Sequence, residues 1–279
     1  MLELLAAIAK FVLYAGSFAA AGVAFASASL GKRLGAAGRA RPGLVAAAAA
    51  AMLMATLASA AILVVRLGGQ LDATTLSAIW EAPVGPALVL QFAGAALLLA
   101  FSGATGAATL LLLGAGVCAL AAFGVNGHSP AVDTLTGAVA FFHVAAASWW
   151  LGSLLLLREA GQVLSEAELA PLVRRFSTFA IAIVLALVVC GGVLVLALVR
   201  FDRDEWLTPY AQALVMKILL VTFVLGIAVY NKLLITPRLA KADGAGARAL
   251  NHTIGIELGL FGAVLLATAW LTTFNSPHT

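Results

Sequence analysis

Eight apolar runs dominate this chain, most of them twenty residues or longer, and nearly every charge lies between them. A bilayer core of about 30 Å takes ~20 apolar residues per helix. The runs fall at about 4–30, 44–65, 86–101, 105–124, 134–157, 175–200, 208–235 and 250–273. They are rich in Ala and Leu and lack the period-two alternation of barrel strands, so the spanning element is the helix. The third run is short, and Ser102-Gly103 marks its break from the fourth. The expected fold is all-α: a polytopic membrane protein, a bundle of about eight transmembrane helices. Composition agrees. Hydrophobic residues make up 63% of the 279 and charged ones 10%, against about 25% charged in an ordinary soluble domain. Mean hydropathy is +1.08. The connections are too short for a separate soluble domain.

A net charge of +4 gives no reason to expect nucleic acid; the expected surroundings are membrane lipid. The placement of the charges says more. Lys32, Arg33, Arg39 and Arg41 follow the first run, Arg158, Arg174 and Arg175 lie around the fifth connection, and Lys232, Arg238, Lys241 and Arg248 around the seventh. The other side carries Arg66, Arg200 and Arg203. Positive residues stay in the cytoplasm, so both termini are expected outside, in the periplasm of a Gram-negative cell. The N-terminus opens with Glu3 rather than a basic segment, and its apolar run is long, which reads as a retained span rather than a cleaved signal. Cys118 and Cys190 lie inside runs and read as small packing residues rather than a disulfide.

Ionisable residues inside spans are rare and mark function. Here they are Lys10, His143, Lys217 and Glu257, with Gln91 as a neutral companion. At ~1.5 Å rise per residue, His143 lies ~14 Å below the outer end of its run, with Lys217 and Lys10 at similar depth. Glu257 lies nearer the cytoplasmic end of the last run. Each has a plainer reading. Lys10 can snorkel outward, Lys217 can pair with a carbonyl or with Glu257, and Gln91 can act as interhelical glue.

His143 shares a helical stripe with Ala146, Ala147, Trp150 and Leu154. The alanines let a neighbouring helix come close beside the imidazole, Gly152 adds another close approach, and Trp150 is too deep for a headgroup belt. The loop before this run, FGVNGHSPAVD, brings His128 and Asp133 to the outer mouth. One histidine at the surface and a second halfway in trace a route for a metal ion. Imidazole suits late transition metals, and Cys or Met favours Cu(I). The soft candidates are Met52, Met54, Cys118, Cys190 and Met216, each of which also reads as core packing. The chain has no nucleotide-binding P-loop, no HExxH and no CxxC, so neither an ATP-driven pump nor an enzyme is expected.

NGHSPAV followed by FFHVAAASWWLGSLLLL resembles the copper resistance protein D (CopD) family of bacterial inner-membrane proteins. RRFSTFAIAIVLALVVCGG, YAQALVMKILLVTFVLGIAVYNKLLITPRL and TIGIELGLFGAVLLATAWLTTFNSP resemble the family's following helices. The resemblance covers about residues 120–277 and divides the chain into an N-terminal four-helix membrane half, 1–125, and a CopD-like four-helix membrane domain, 126–279. It implies copper import, homeostasis or tolerance in the inner membrane, often beside a small periplasmic copper-binding protein of the CopC type. By position it carries over to His128, His143, Trp150, Lys217 and Glu257. Ser129 stands where the family usually has Ala, and the chain lacks the fused CopC domain and the extra outer His and Met residues of some members, so copper capture is expected to depend on a partner.

Three readings follow. In the first, copper meets His128 and passes to His143 and a soft ligand, Met216 or Cys190, with Trp150, Lys217, Glu257 and Gln91 lining or supporting the path. In the second, two histidines hold haem b in a redox membrane protein, although only His143 is deep. In the third, the polar residues only fix helix packing in an assembly or sensing subunit.

Overall fold

The computed structural model describes residues 1–127, 132–198, 209–239 and 245–274; for Pro209 and Tyr210 only the backbone is described. The described residues form helices and connecting turns, with no strand. Helix α1 spans Leu2–Leu30 and α2 Arg41–Arg66, joined by the 3-10 stretch Gly31–Ala40. Two glycines with positive φ, Gly31 and Gly35, let the chain reverse there. Then come α3 (Ala73–Glu81), α4 (Val84–Ala100), α5 (Thr109–Val125), α6 (Thr134–Val163) and α7 (Glu166–Leu198). Helix α8 (Pro209–Tyr230) runs through a π turn, Asn231–Ile235, into the short α9 (Thr236–Leu239), and α10 is Ala245–Phe274.

The all-α membrane bundle is borne out, but the number of separate spans is corrected. Six continuous segments are long and apolar enough to cross a membrane, or seven if the bent pair α3–α4 counts as one. The first two expected spans follow each other through short 3-10 turns as one stretch, Leu2–Arg66, kinked at Gly35, where the backbone leaves helical geometry (φ 49°, ψ −129°). Its two arms lie side by side in opposite directions: Gly16 faces Ala48 and Met52, and Glu3 pairs with Arg66 at 2.6 Å. The third expected span is a 17-residue helix preceded by α3, which turns 88° away from it. Sequence reading missed α3. Asp72 caps it by accepting from the Thr75 N–H at 2.8 Å, and Trp80 is 65% exposed on it, as suits a helix lying in the membrane interface. Helix α7 also starts nine residues earlier than expected, at Glu166, and carries Pro171 within its second turn.

The basic connections gather at one end of the bundle, and three of their cations meet backbone carbonyls. Arg175 donates to the Ser29 carbonyl at 2.6 Å and Arg33 to that of Pro171 at 3.2 Å. Arg41 donates to the Ala104 carbonyl in the turn between α4 and α5. At the opposite end Lys10 donates to the Thr272 carbonyl of α10 at 2.7 Å, so its ammonium caps a helix terminus rather than reaching for water.

Helix α1 sits at the centre and packs on α2, α5, α6 and α10. Its buried side is Ala20, Ala21, Val23, Ala24 and Ala26, none of them with exposed surface. At Gly22 and Gly152 the α1 and α6 backbones touch. A Cβ at Gly152 would fall 1.9 Å from the Gly22 carbonyl carbon, and a Cβ at Gly22 1.9 Å from the Ser148 oxygen. Only a small-residue face permits this spacing, and in lipid such packing is what holds helices together.

Candidate functional site

Helix α6 is the element that positions the site. Asp133 starts it, accepting from the Thr136 N–H at 2.6 Å. This bond holds the Asp133 carboxyl below the usual range. From there the 3.6-residue period places His143 and Trp150 on one face, two turns apart. That face looks toward α7 and α10 rather than toward α1, which takes the Gly152 side.

His143 stands against Gly191 of α7. A Cβ on that glycine would lie 3.3 Å from the ring Cε1 and 3.6 Å from Nδ1. The missing side chain is what makes room for the imidazole. The Leu187 backbone lies beside the ring, and the Lys217 charge on α8 reaches it. Nδ1 itself is buried and has no hydrogen-bond partner. Helices α7 and α8 flank the histidine without packing along each other over their described residues.

Two turns on, Trp150 is 3% exposed and meets Phe176 of α7 edge-on at 6.0 Å. Trp149 stacks on the same Phe176 at 5.7 Å and donates from Nε1 to Ser29 Oγ at 2.9 Å. The pair therefore has two characters: Trp149 is tied to α1, whereas Trp150 Nε1 is buried without a hydrogen bond of good geometry, beside the Glu257 carboxyl. Glu257 is 2% exposed on the apolar stripe Leu250, Ile254, Phe261 and Leu265 of α10. It accepts from Asn231 Nδ2 at 2.6 Å.

The structure thus joins His143 to Lys217 and to the Gly191 turn of α7, and Trp150 to Glu257. Other expected associations do not form. Lys217 and Glu257 make no ion pair; Glu257 turns to Asn231 instead. Met216 is 54% exposed, because adjacent helical residues point ~100° apart and Lys217 takes the inward direction. Cys190 is half-buried, next to Gly191 in sequence, without a described bond to the ring. Gln91 is buried on α4, which packs on α2 and α5 away from this face. His128 lies outside the described residues. Among the described residues no three His, Cys, Asp or Glu side chains group closely enough to hold a metal. His252 is exposed near the start of α10, so the described histidines do not form the facing pair that haem b requires.

Sequence reading missed Asn231 as a partner of Glu257 and Phe176 as the ring between the two tryptophans. Asn231 lies at the end of an apolar run between Tyr230 and Lys232, where a polar residue passes for the edge of a span. The π turn that begins there is the feature that turns it inward.

Residues 170–271 match the family model for copper resistance protein D. The CopD match covers α7, α8, α9 and most of α10, with Gly191, Lys217, Asn231 and Glu257 inside it. His143 and Trp150, whose motif carried the resemblance in sequence, lie N-terminal to the matched stretch. The CopD resemblance therefore rests on this matched region, and the apolar helices are those of a multi-pass membrane protein. No curated protein and no solved structure matches the chain.

Proposed function

We propose that the protein takes up copper ions from the outer side and conducts them across the inner membrane past His143. One observation carries this reading: a half-buried imidazole with an unpartnered, buried Nδ1, set against a glycine of α7. A buried polar atom without a partner is costly, and a ring nitrogen in that state is free to ligate. With a single described imidazole on this face and Cys190 next to Gly191 in sequence, the site suits a cargo ion in transit better than a resident metal. Cu(I) fits a ligand set of imidazole and sulfur. His128, which precedes α6 in the sequence, is the proposed earlier ligand, with delivery by a CopC-type periplasmic protein. No nucleotide-binding motif is present in the sequence, so the movement is not assigned to ATP.

The test uses purified protein in vesicles and elemental analysis of trapped copper, beside His143→Ala. Copper accumulation in the wild type, lost in a variant that still inserts and melts normally, supports conduction through His143. Equal accumulation in both removes His143 from the path, and iron that copurifies in place of copper moves the reading to haem.

A further inference from the structure

Glu257 is the only carboxyl among the described residues that is fully buried in an apolar helix. Its single described hydrogen bond comes from Asn231 Nδ2, and Asn231 begins the π turn. Buried polar atoms without partners collect on this side of α6. Asn231 Oδ1 and Trp150 Nε1 lie beside the carboxyl, and Ser153 Oγ one turn further along α6 is likewise unpaired. A donor together with acceptors left open in a polar interior is the setting that holds a bridging water.

We propose that Glu257, held by Asn231 and flanked by Trp150, is a proton-binding site whose proton is exchanged for the cation that passes His143. The inference rests on the conduction reading above for its second half. A carboxylate in an apolar bundle either pairs with a cation or takes a proton, and the neighbouring charges are committed elsewhere. Of the elements packed on α10, α1 offers Lys10 and Tyr14, both tied to Thr272. Helix α6 offers Arg158, which lies against Gly255, and α7 offers Glu166, which accepts from the Ala247 N–H. Helix α8 offers Lys217, directed to His143. Lys232 in the π turn and Arg238 in α9 are exposed.

The exchange balances in charge. A cation beside the imidazole adds one positive charge near Lys217. Glu257, on α10 beside Trp150, then gives its proton to water and becomes a carboxylate, and once the hydronium ion leaves for the aqueous side the charge inside the bundle is unchanged. The Asn231 amide serves both states. Its N–H donates to the carboxylate, and after rotation its Oδ1 accepts from the carboxylic acid.

Infrared spectra of the full chain in lipid, taken across pH, read the protonated-carboxyl band. The same protein in vesicles with a trapped pH dye reads proton movement as Cu(I) is added. Glu257→Gln keeps the shape and an oxygen for Asn231. The expected result is a wild-type band that fades as pH rises and on Cu(I) addition, absent from Glu257→Gln, together with proton release that the variant loses. No Glu257-dependent band in a normally melting variant overturns the proton site. A band that ignores Cu(I) while copper enters overturns the exchange. If the wild type takes up no copper, the conduction reading falls, and the band alone still decides whether Glu257 carries a proton.

Discussion

The two ends of helix α6 differ in what presses on them. Around Gly152 the neighbour is the α1 backbone, with no space for one added carbon. Around His143 the neighbour is a glycine on α7 where an added carbon would meet only the ring, 3.3 Å from Cε1. The first region is alanine-lined and closed. The second borders α7 and α8, whose most apolar windows are 0% and 6% buried inside the bundle. In lipid the closed region sets helix positions through close packing. The open region is left with the polar atoms that packing alone would have excluded.

The largest expected effect sharpens this contrast by putting the same side chain into both regions. Gly152→Val forces the α1 and α6 backbones apart, and no folded, monodisperse protein is expected from detergent extraction. Gly191→Val places its branches against the imidazole, so normal insertion with copper flux reduced tenfold or more is expected in vesicles. A Gly191 variant that fails to fold like the Gly152 one would erase the distinction.

Much of the closed region could be read from the sequence. Ala-rich runs and the Ser102-Gly103 break located α1, α2, α4 and α5, and the capping Asp133 lies where the loop before α6 was drawn. The helix count was harder, because Gly31–Ala40 looks like a loop in composition yet forms 3-10 turns about a kink at Gly35. The site was legible only in part. His143, Lys217 and Glu257 stand out as ionisable groups in apolar runs. Their pairing did not, because Lys217 and Glu257 are opposite charges and nothing in their spacing says that Asn231 intervenes. Met216 was one candidate ligand, for its sulfur and its place beside Lys217, and the ~100° step from Lys217 leaves it exposed.

A second, smaller effect divides the tryptophan pair. Trp149→Phe gives up the bond to Ser29 and should lower stability by about 1 kcal/mol, seen as a lower melting temperature. Trp150→Phe removes an N–H that has no good partner, so its melting temperature should stay level or rise. Equal losses for both would show that Trp150 is bonded after all.

The smallest effect concerns the cap of α6. The Thr136 amide holds the Asp133 carboxyl below its ordinary value. Its stabilisation is therefore present above the ordinary carboxylate range and lost as pH falls through the folded value. Asp133→Asn keeps the cap but should remove this small acid-dependent fall in melting temperature. An unchanged acid profile in the variant would assign the fall to other carboxyls.

The clasp between Lys10 and Thr272 sets a schedule for the nascent chain. The two residues are 262 positions apart. At ribosomal rates of about 5–20 residues per second, Lys10 passes roughly 13–50 s before its acceptor exists. Throughout that interval α1 carries an ammonium with no carbonyl to receive it. A chain halted before α10 therefore displays a charge in the bilayer that the finished protein conceals, a mark by which membrane quality control can tell a half-made molecule from a complete one.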